Sequence, residues 1–142
     1  MVLVHHADAV GPGVDTQRPL SARGHAQAEE LAARAKAEGA SPAAIWHSGK
    51  LRARQTGEAY FRACNPFADF RMVRGLRPDD PPEMMLADLA AETRDVMLVG
   101  HMPNIATIAA RLAGADAGFP LHGAICFERL SDGGWKERWR LY

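Results

Sequence analysis

Short apolar runs separated by longer amphipathic stretches set the pattern of this 142-residue chain. Val2-Leu-Val4, Ala43 to Trp46 and Val96 to Val99 are continuous apolar runs of the kind that form strands buried on both faces. Phe70 to Val73 is a weaker strand, flanked and interrupted by Asp69, Arg71 and Arg74. Between these runs the period changes to that of a helix. Ala28, Leu31, Ala32 and Ala35 follow Ser21, an N-cap residue, and Gly39 ends the pattern, which predicts a helix from Ala22 to Glu38. A second helix is expected from Leu51 to Cys64. Asp80-Pro-Pro-Glu83 has capping-box spacing, with Asp80 as N-cap and Pro81 at the first helical position, opening a helix with Met85, Leu86 and Leu89 on one face. Pro103 starts a fourth helix with the stripe Ile105, Ile108, Ala109 and Leu112.

The C-terminal region changes character. Ala124 to Leu130 and Trp135 to Leu141 flank Asp132-Gly133-Gly134, a hairpin signal, with Trp135, Trp139 and Leu141 expected on one strand face. Strands alternating with helices imply an α/β fold. The expected architecture is a three-layer α/β/α sandwich around a mostly parallel sheet, closed by a C-terminal antiparallel hairpin, in one domain spanning residues 1–142.

Composition narrows the classes of partner. Lys+Arg and Asp+Glu both total 17, so no global charge recruits nucleic acid or a membrane surface. No apolar stretch reaches the length of a spanning helix, and no basic segment precedes a signal-type run, so the cytoplasm is the expected compartment. Cys64 and Cys126 lack metal-type spacing and are expected to be buried free thiols.

Candidate chemistry gathers at strand ends: His5-His6 after the first strand, His47-Ser48 after the second, Gly100-His101 after the Val96 strand. Parallel strands point their carboxyl ends to one edge, where open α/β sheets bind ligands. Arg52 lies in the first turn of the helix after Ser48. Imidazoles, an arginine fork and helix N-termini in one crevice suit a phosphoryl group, since an imidazole can attack it and the cation and amides bind its oxygens.

Four motifs occur in order: His6-Ala7, Arg18-Pro-Leu-Ser21 with Gly24, Ser48-x-x-x-Arg52-Ala-x-Gln-Thr56, and Val99-Gly-His101-x-Pro103. Together they resemble the histidine phosphatase superfamily, and most of all its small SixA-type phosphohistidine phosphatases. The resemblance implies that His6 is the nucleophile that becomes transiently phosphorylated. It implies further that Arg52 binds phosphate, that His101 steadies the transferring phosphoryl group, and that Ser48 and Arg18 contact substrate. The implied substrate is a phosphorylated protein, such as a phosphotransfer domain, or a small phospho-compound, handled without metal or other cofactor.

The chain departs from the family pattern at one position. Arginine precedes the nucleophile in the family, and His5 stands there in this chain. Histidine carries a charge only below about pH 6.5 when unperturbed, so a weak enzyme, more active in mildly acidic buffer, is expected. The alternative is a phosphate- or phosphoprotein-binding module without turnover. Asp79 is the candidate general acid, because Asp80 is assigned to the helix cap; an imidazole leaving group lessens the need for one. His25 and His122 are expected at the surface or behind the site. A third reading, with His5, His6, Asp8 and His101 holding a metal, is disfavoured because neighbouring strand residues point to opposite faces.

Overall fold

The first strand, β1 (Val2–His5), lies inside a six-stranded sheet of order β3-β2-β4-β1-β5-β6 in the computed structural model, which describes residues 1–142. The remaining strands are β2 (Ala44–His47), β3 (Asp69–Met72), β4 (Val96–Gly100), β5 (Ala124–Arg129) and β6 (Trp135–Leu141). The first four strands are mutually parallel, and the β5–β6 hairpin joins β1 antiparallel. The helices are α1 (Ala22–Ala37), α2 (Leu51–Cys64), α3 (Pro82–Ala91) and α4 (Asn104–Ala113). This is the expected α/β sandwich with its antiparallel hairpin. No helix is long and apolar enough to cross a membrane.

Alternation along β1 builds the two layers. Val2 and Val4 pack with Ala28, Leu31, Ala32 and Ala35 of α1 and Tyr60 of α2. Leu3 faces the opposite way, with Met85 and Leu89 of α3 and Ile105 and Ile108 of α4. The helix starts follow local chemistry. Ser21 accepts the Gly24 N–H at 2.9 Å, and Gly39 turns the chain out of α1 with φ +90°.

Register fixes the functional edge. His5 pairs with Gly100 between β1 and β4, and His47 pairs with Val99 between β2 and β4. His6, Ser48 and His101 therefore leave three neighbouring strands at the same end of the sheet. His6 stays tied there, its N–H donating to the Gly100 carbonyl at 3.1 Å.

Three expectations are corrected. Asp80 does not cap α3; its carboxylate instead accepts the Gly75 and Arg77 N–H groups at 3.1 and 3.0 Å, closing the preceding turn, and Pro81 sits at the cap. Trp135 and Trp139 do not share a face. The β5–β6 register shifts between Cys126 and Phe127, so Arg138 is an extra residue and the alternation inverts across it. Trp139 and Leu141 then join the α1/α2 layer, while Trp135 joins the α3/α4 layer. Cys64 and Cys126 are free but only half-buried.

Candidate active site

The loop after β1 is fastened at each residue. The Ala7 N–H donates to Thr56 Oγ1 at 3.0 Å, and Thr56 donates in turn to the Arg52 carbonyl at 2.8 Å. Asp8 donates its N–H to Gln27 Oε1 at 3.0 Å and accepts the Ser21 hydroxyl at 2.6 Å on its carboxylate. Gln55 accepts the Leu20 N–H at 2.8 Å, tying the long loop to the same helix. A β-carbon at Gly24 would collide with the Asp8 carbonyl, so this close approach of α1 requires glycine. The motif residues Gly24, Gln55 and Thr56 are thus fasteners that hold the loop in place.

The fastened loop presents His6. Its Nδ1 lies 2.7 Å from the Ala7 carbonyl, which can only accept, so Nδ1 carries the proton and Nε2 the lone pair. Arg52 Nε–H points at that lone pair from 3.4 Å. Burial lowers the His6 pKa to about 4; Arg52, His122 and Arg18 add to the fall, while the bond to Ala7 opposes it. His6 is therefore a neutral base, with a free nitrogen, beside a guanidinium.

His101 lies on the other side, its ring centroid 5.0 Å from that of His6. Its Nε2 is 2.6 Å from Ser48 Oγ, which also accepts the Lys50 N–H at 3.2 Å. Burial, then His6, Arg52, Lys50 and His5, push the His101 pKa down to about 2. Ser48 therefore holds His101. Arg18 is half-buried in the left-handed region, φ 49°, with Nε donating to the Val10 carbonyl at 3.0 Å. Its charge acts on both His6 and Arg52, and burial together with Arg18 shifts the Arg52 pKa downward.

His5 differs most from expectation. It is 5% exposed, and burial lowers its pKa to about 3, with His6, His122 and Arg52 pushing the same way. Its Nδ1 accepts the backbone N–H of His122 at 2.8 Å. Acidification to about pH 6 therefore does not charge His5, and the expected gain in mildly acidic buffer loses its physical basis.

His122, expected at the surface or behind the site, lies behind it, against His5 and His6. Its Nδ1 donates to the His6 carbonyl at 2.7 Å, and its ring stacks on His5 at 5.1 Å with 5° between planes. The only sequence signal is a histidine before the glycine that opens the hairpin. His25, by contrast, is exposed. Asp79 is exposed too and shares no hydrogen bond with the histidine cluster.

Ring nitrogens of His5, His6 and His122 lie within 4.8 Å of one another, which resembles a metal site. The opposite-face argument against a metal therefore fails for His5 and His6, whose rings approach to 4.5 Å where the strand ends. Tautomer chemistry supplies a better one. While His5 Nδ1 accepts an amide hydrogen, its proton sits on Nε2, which cannot then offer a lone pair to an ion.

A cavity of about 610 Å³ lies at the opposite end of the sheet from His6, among Met1, Leu89, Asp95, Arg129 and Trp135. A smaller one, about 410 Å³, opens on Arg52 between Thr16, Gln17, Lys50 and Arg54. This second cavity is a cationic mouth at the N-terminus of α2.

The comparisons bear on the family and the fold. A search of curated proteins found no significant match. Among solved structures, a protein assigned as phosphohistidine phosphatase SixA from Agrobacterium tumefaciens is 29% identical, with TM-score 0.84, covering 99% of this chain and 96% of that one. A protein histidine phosphatase SixA complexed with tungstate is 22% identical, with TM-score 0.87, covering 99% and 94%. A mycobacterial glucosyl-3-phosphoglycerate phosphatase in complex with VO3 is 17% identical, with TM-score 0.74, covering 96% of each. The model of the histidine phosphatase superfamily (branch 1) matches residues 5–77, a stretch that holds His5, His6, Arg18, Ser48 and Arg52. The chain belongs to the histidine phosphatase superfamily, branch 1.

Proposed function

We propose that this protein is a metal-independent phosphatase that hydrolyses phosphohistidine through a phospho-His6 intermediate. The observation that carries the reading is the state of His6: Nδ1–H held by Ala7, Nε2 unprotonated, with Arg52 3.4 Å away. In the first step Nε2 attacks phosphorus, and the bond from phosphorus to the substrate nitrogen breaks. Arg52 and the α2 N-terminus balance charge on the phosphoryl oxygens. His101, held by Ser48, flanks the transfer. The departing imidazole takes a proton from solvent. Water then attacks phospho-His6, inorganic phosphate leaves, and the lone pair returns to Nε2.

Phosphohistidine is favoured over a phosphomonoester by what surrounds His6. The nearby carboxylate, Asp8, is engaged by the Ser21 hydroxyl, and Asp79 stands apart. A site without a free acid suits a leaving group whose pKa is near neutrality. The shallow cationic mouth fits a residue on a phosphorylated protein, such as a phosphotransfer domain, acting in the cytoplasm. Arg18 adds positive charge that acts on His6 and Arg52.

A second reading, a phosphate- or phosphoprotein-binding module without turnover, is motivated by His5 in the arginine position. Incubation with a phosphohistidine donor, followed by intact mass and acid treatment, separates the two. The enzyme forms an acid-labile adduct of one phosphoryl group that His6→Ala abolishes. Binding of the donor with no adduct and no released phosphate would establish the module instead.

A further inference from the structure

We propose that His122 is a positioning residue that locks His5 as an un-ionised Nε2–H donor to a phosphoryl oxygen, so that a neutral imidazole works where a cation would be expected. This rests on the phosphatase reading for its substrate, though not for its geometry.

His122 is a non-glycine residue in the left-handed region, φ 55°, a conformation that persists only when the surroundings hold it. Three ties do so. Its N–H donates to His5 Nδ1 at 2.8 Å, its Nδ1–H donates to the His6 carbonyl at 2.7 Å, and its ring lies parallel on His5 at 5.1 Å. One residue thereby grips both members of the His5–His6 pair.

The grip determines where the His5 proton sits. An amide N–H cannot donate to a protonated ring nitrogen, so Nδ1 holds the lone pair and Nε2 holds the proton. That Nε2–H has no protein partner, yet it is not sealed from solvent as His101 Nδ1 is. The His5 ring centroid is 4.5 Å from that of His6, so the ring that carries the unsatisfied donor adjoins the His6 ring.

Every element packed around His5 favours the neutral form. Arg52 approaches from α2, His6 adjoins on the same strand end, His101 faces it from the end of β4, and His122 covers it from the loop before β5. The nearby carboxylate, Asp8, is 4.0 Å from His122 Nε2 and held by Ser21. A proton added to Nδ1 would break the amide bond and set a second cation beside Arg52. Donation from His5 therefore stays constant with pH, and Arg52 supplies the fixed charge.

The test is tautomer-resolved long-range 1H–15N NMR on wild type, His122→Gly and His122→Asn, with inorganic phosphate as the probe. Glycine keeps the amide and accepts the backbone angle but loses the stack and the clamp. In wild type, His5 should show a single Nε2–H tautomer that does not titrate between about pH 5 and 8, and phosphate should shift that resonance. In His122→Gly, His5 should mix tautomers and titrate closer to its ordinary value. kcat/KM should fall roughly tenfold and gain a pH dependence, as expected for a misdirected hydrogen bond to a charged group. His122→Asn tolerates the backbone angle and can donate to the His6 carbonyl, so it should recover part of the loss. An Nδ1–H or charged His5 in wild type, or no response of its Nε2 to phosphate, overturns the proposal. So does a His122→Gly variant with unchanged tautomer and activity. A wild type with the locked tautomer and a phosphate response, but no phospho-His6, overturns only the phosphatase reading.

Discussion

Thr56 Oγ1 accepts the Ala7 N–H at 3.0 Å, and this bond joins the nucleophile's loop to the helix that carries Arg52. Both partners are buried, so Thr56→Val, equal in shape, leaves an amide without an acceptor. The expected cost is about 1–3 kcal/mol in stability. kcat should fall with it, because the spacing between His6 and Arg52 loosens. Urea denaturation and steady-state kinetics check the two parts.

Arg52→Lys should lower kcat/KM roughly ten- to a hundredfold, with little change in melting temperature. The guanidinium is half-buried, and its Nε is the group that points at His6. Lysine keeps the charge but lacks the planar fork that meets phosphoryl oxygens two at a time. Full activity in the lysine variant would show that charge alone suffices.

Acid should destabilise the protein well above the carboxylate range. His5, His6 and His101 have pKa values lowered to about 3, about 4 and about 2 from 6.5, so the unfolded chain binds protons that the native chain refuses. For groups lowered in this way, stability is complete above the unfolded value and drains as pH falls towards the folded one. The three histidines together steepen the loss to at most about 4 kcal/mol per pH unit between about pH 6 and about pH 4. Urea midpoints at pH 7 and pH 5 measure it. The His6 pKa of about 4 lies at the foot of that window, so activity lost between about pH 6 and about pH 5 should track unfolding.

Tyr60→Phe should leave stability unchanged or raise it by about 1 kcal/mol. The Tyr60 hydroxyl is buried without a hydrogen-bond partner, and burial drives its pKa upward. Removing it deletes an unsatisfied group and keeps the ring packed. Thermal melting of the variant checks this.

Activity should survive EDTA, since the proposed chemistry assigns charge neutralisation to Arg52. Loss of turnover on chelation, restored by zinc or manganese, would instead implicate the cluster of His5, His6 and His122.

The layers were legible because each buried strand is a short apolar run and α1, α3 and α4 carry periodic stripes, α1 with its Ser21 cap. Val2 to Val4, Ser21 and Gly39 needed no tertiary knowledge. Arg138 did: a bulge is a mismatch between two strands, and neither strand shows it alone. Asp80 illustrates another limit, because a carboxylate between a turn and a helix can close either, and packing chose the turn. In the site, His6, Arg52 and His101 stood out as strand-end and helix-start residues. His122 did not, since what it does depends on a backbone angle and on a partner 117 positions away.

β1 takes neither of its hydrogen-bonding neighbours from the first half of the chain, since β4 flanks one side and β5 the other. During synthesis His6 emerges before either neighbouring strand and stays without a scaffold until β4 and β5 have been translated. Closing so long a span is slow. A nascent or truncated chain ending before β4 would therefore expose His6 on an unpaired strand and lack His101 and His122, two of the imidazoles beside it. Competence for phosphoryl transfer would then be coupled to completion of the sheet, with no functional half-protein along the way.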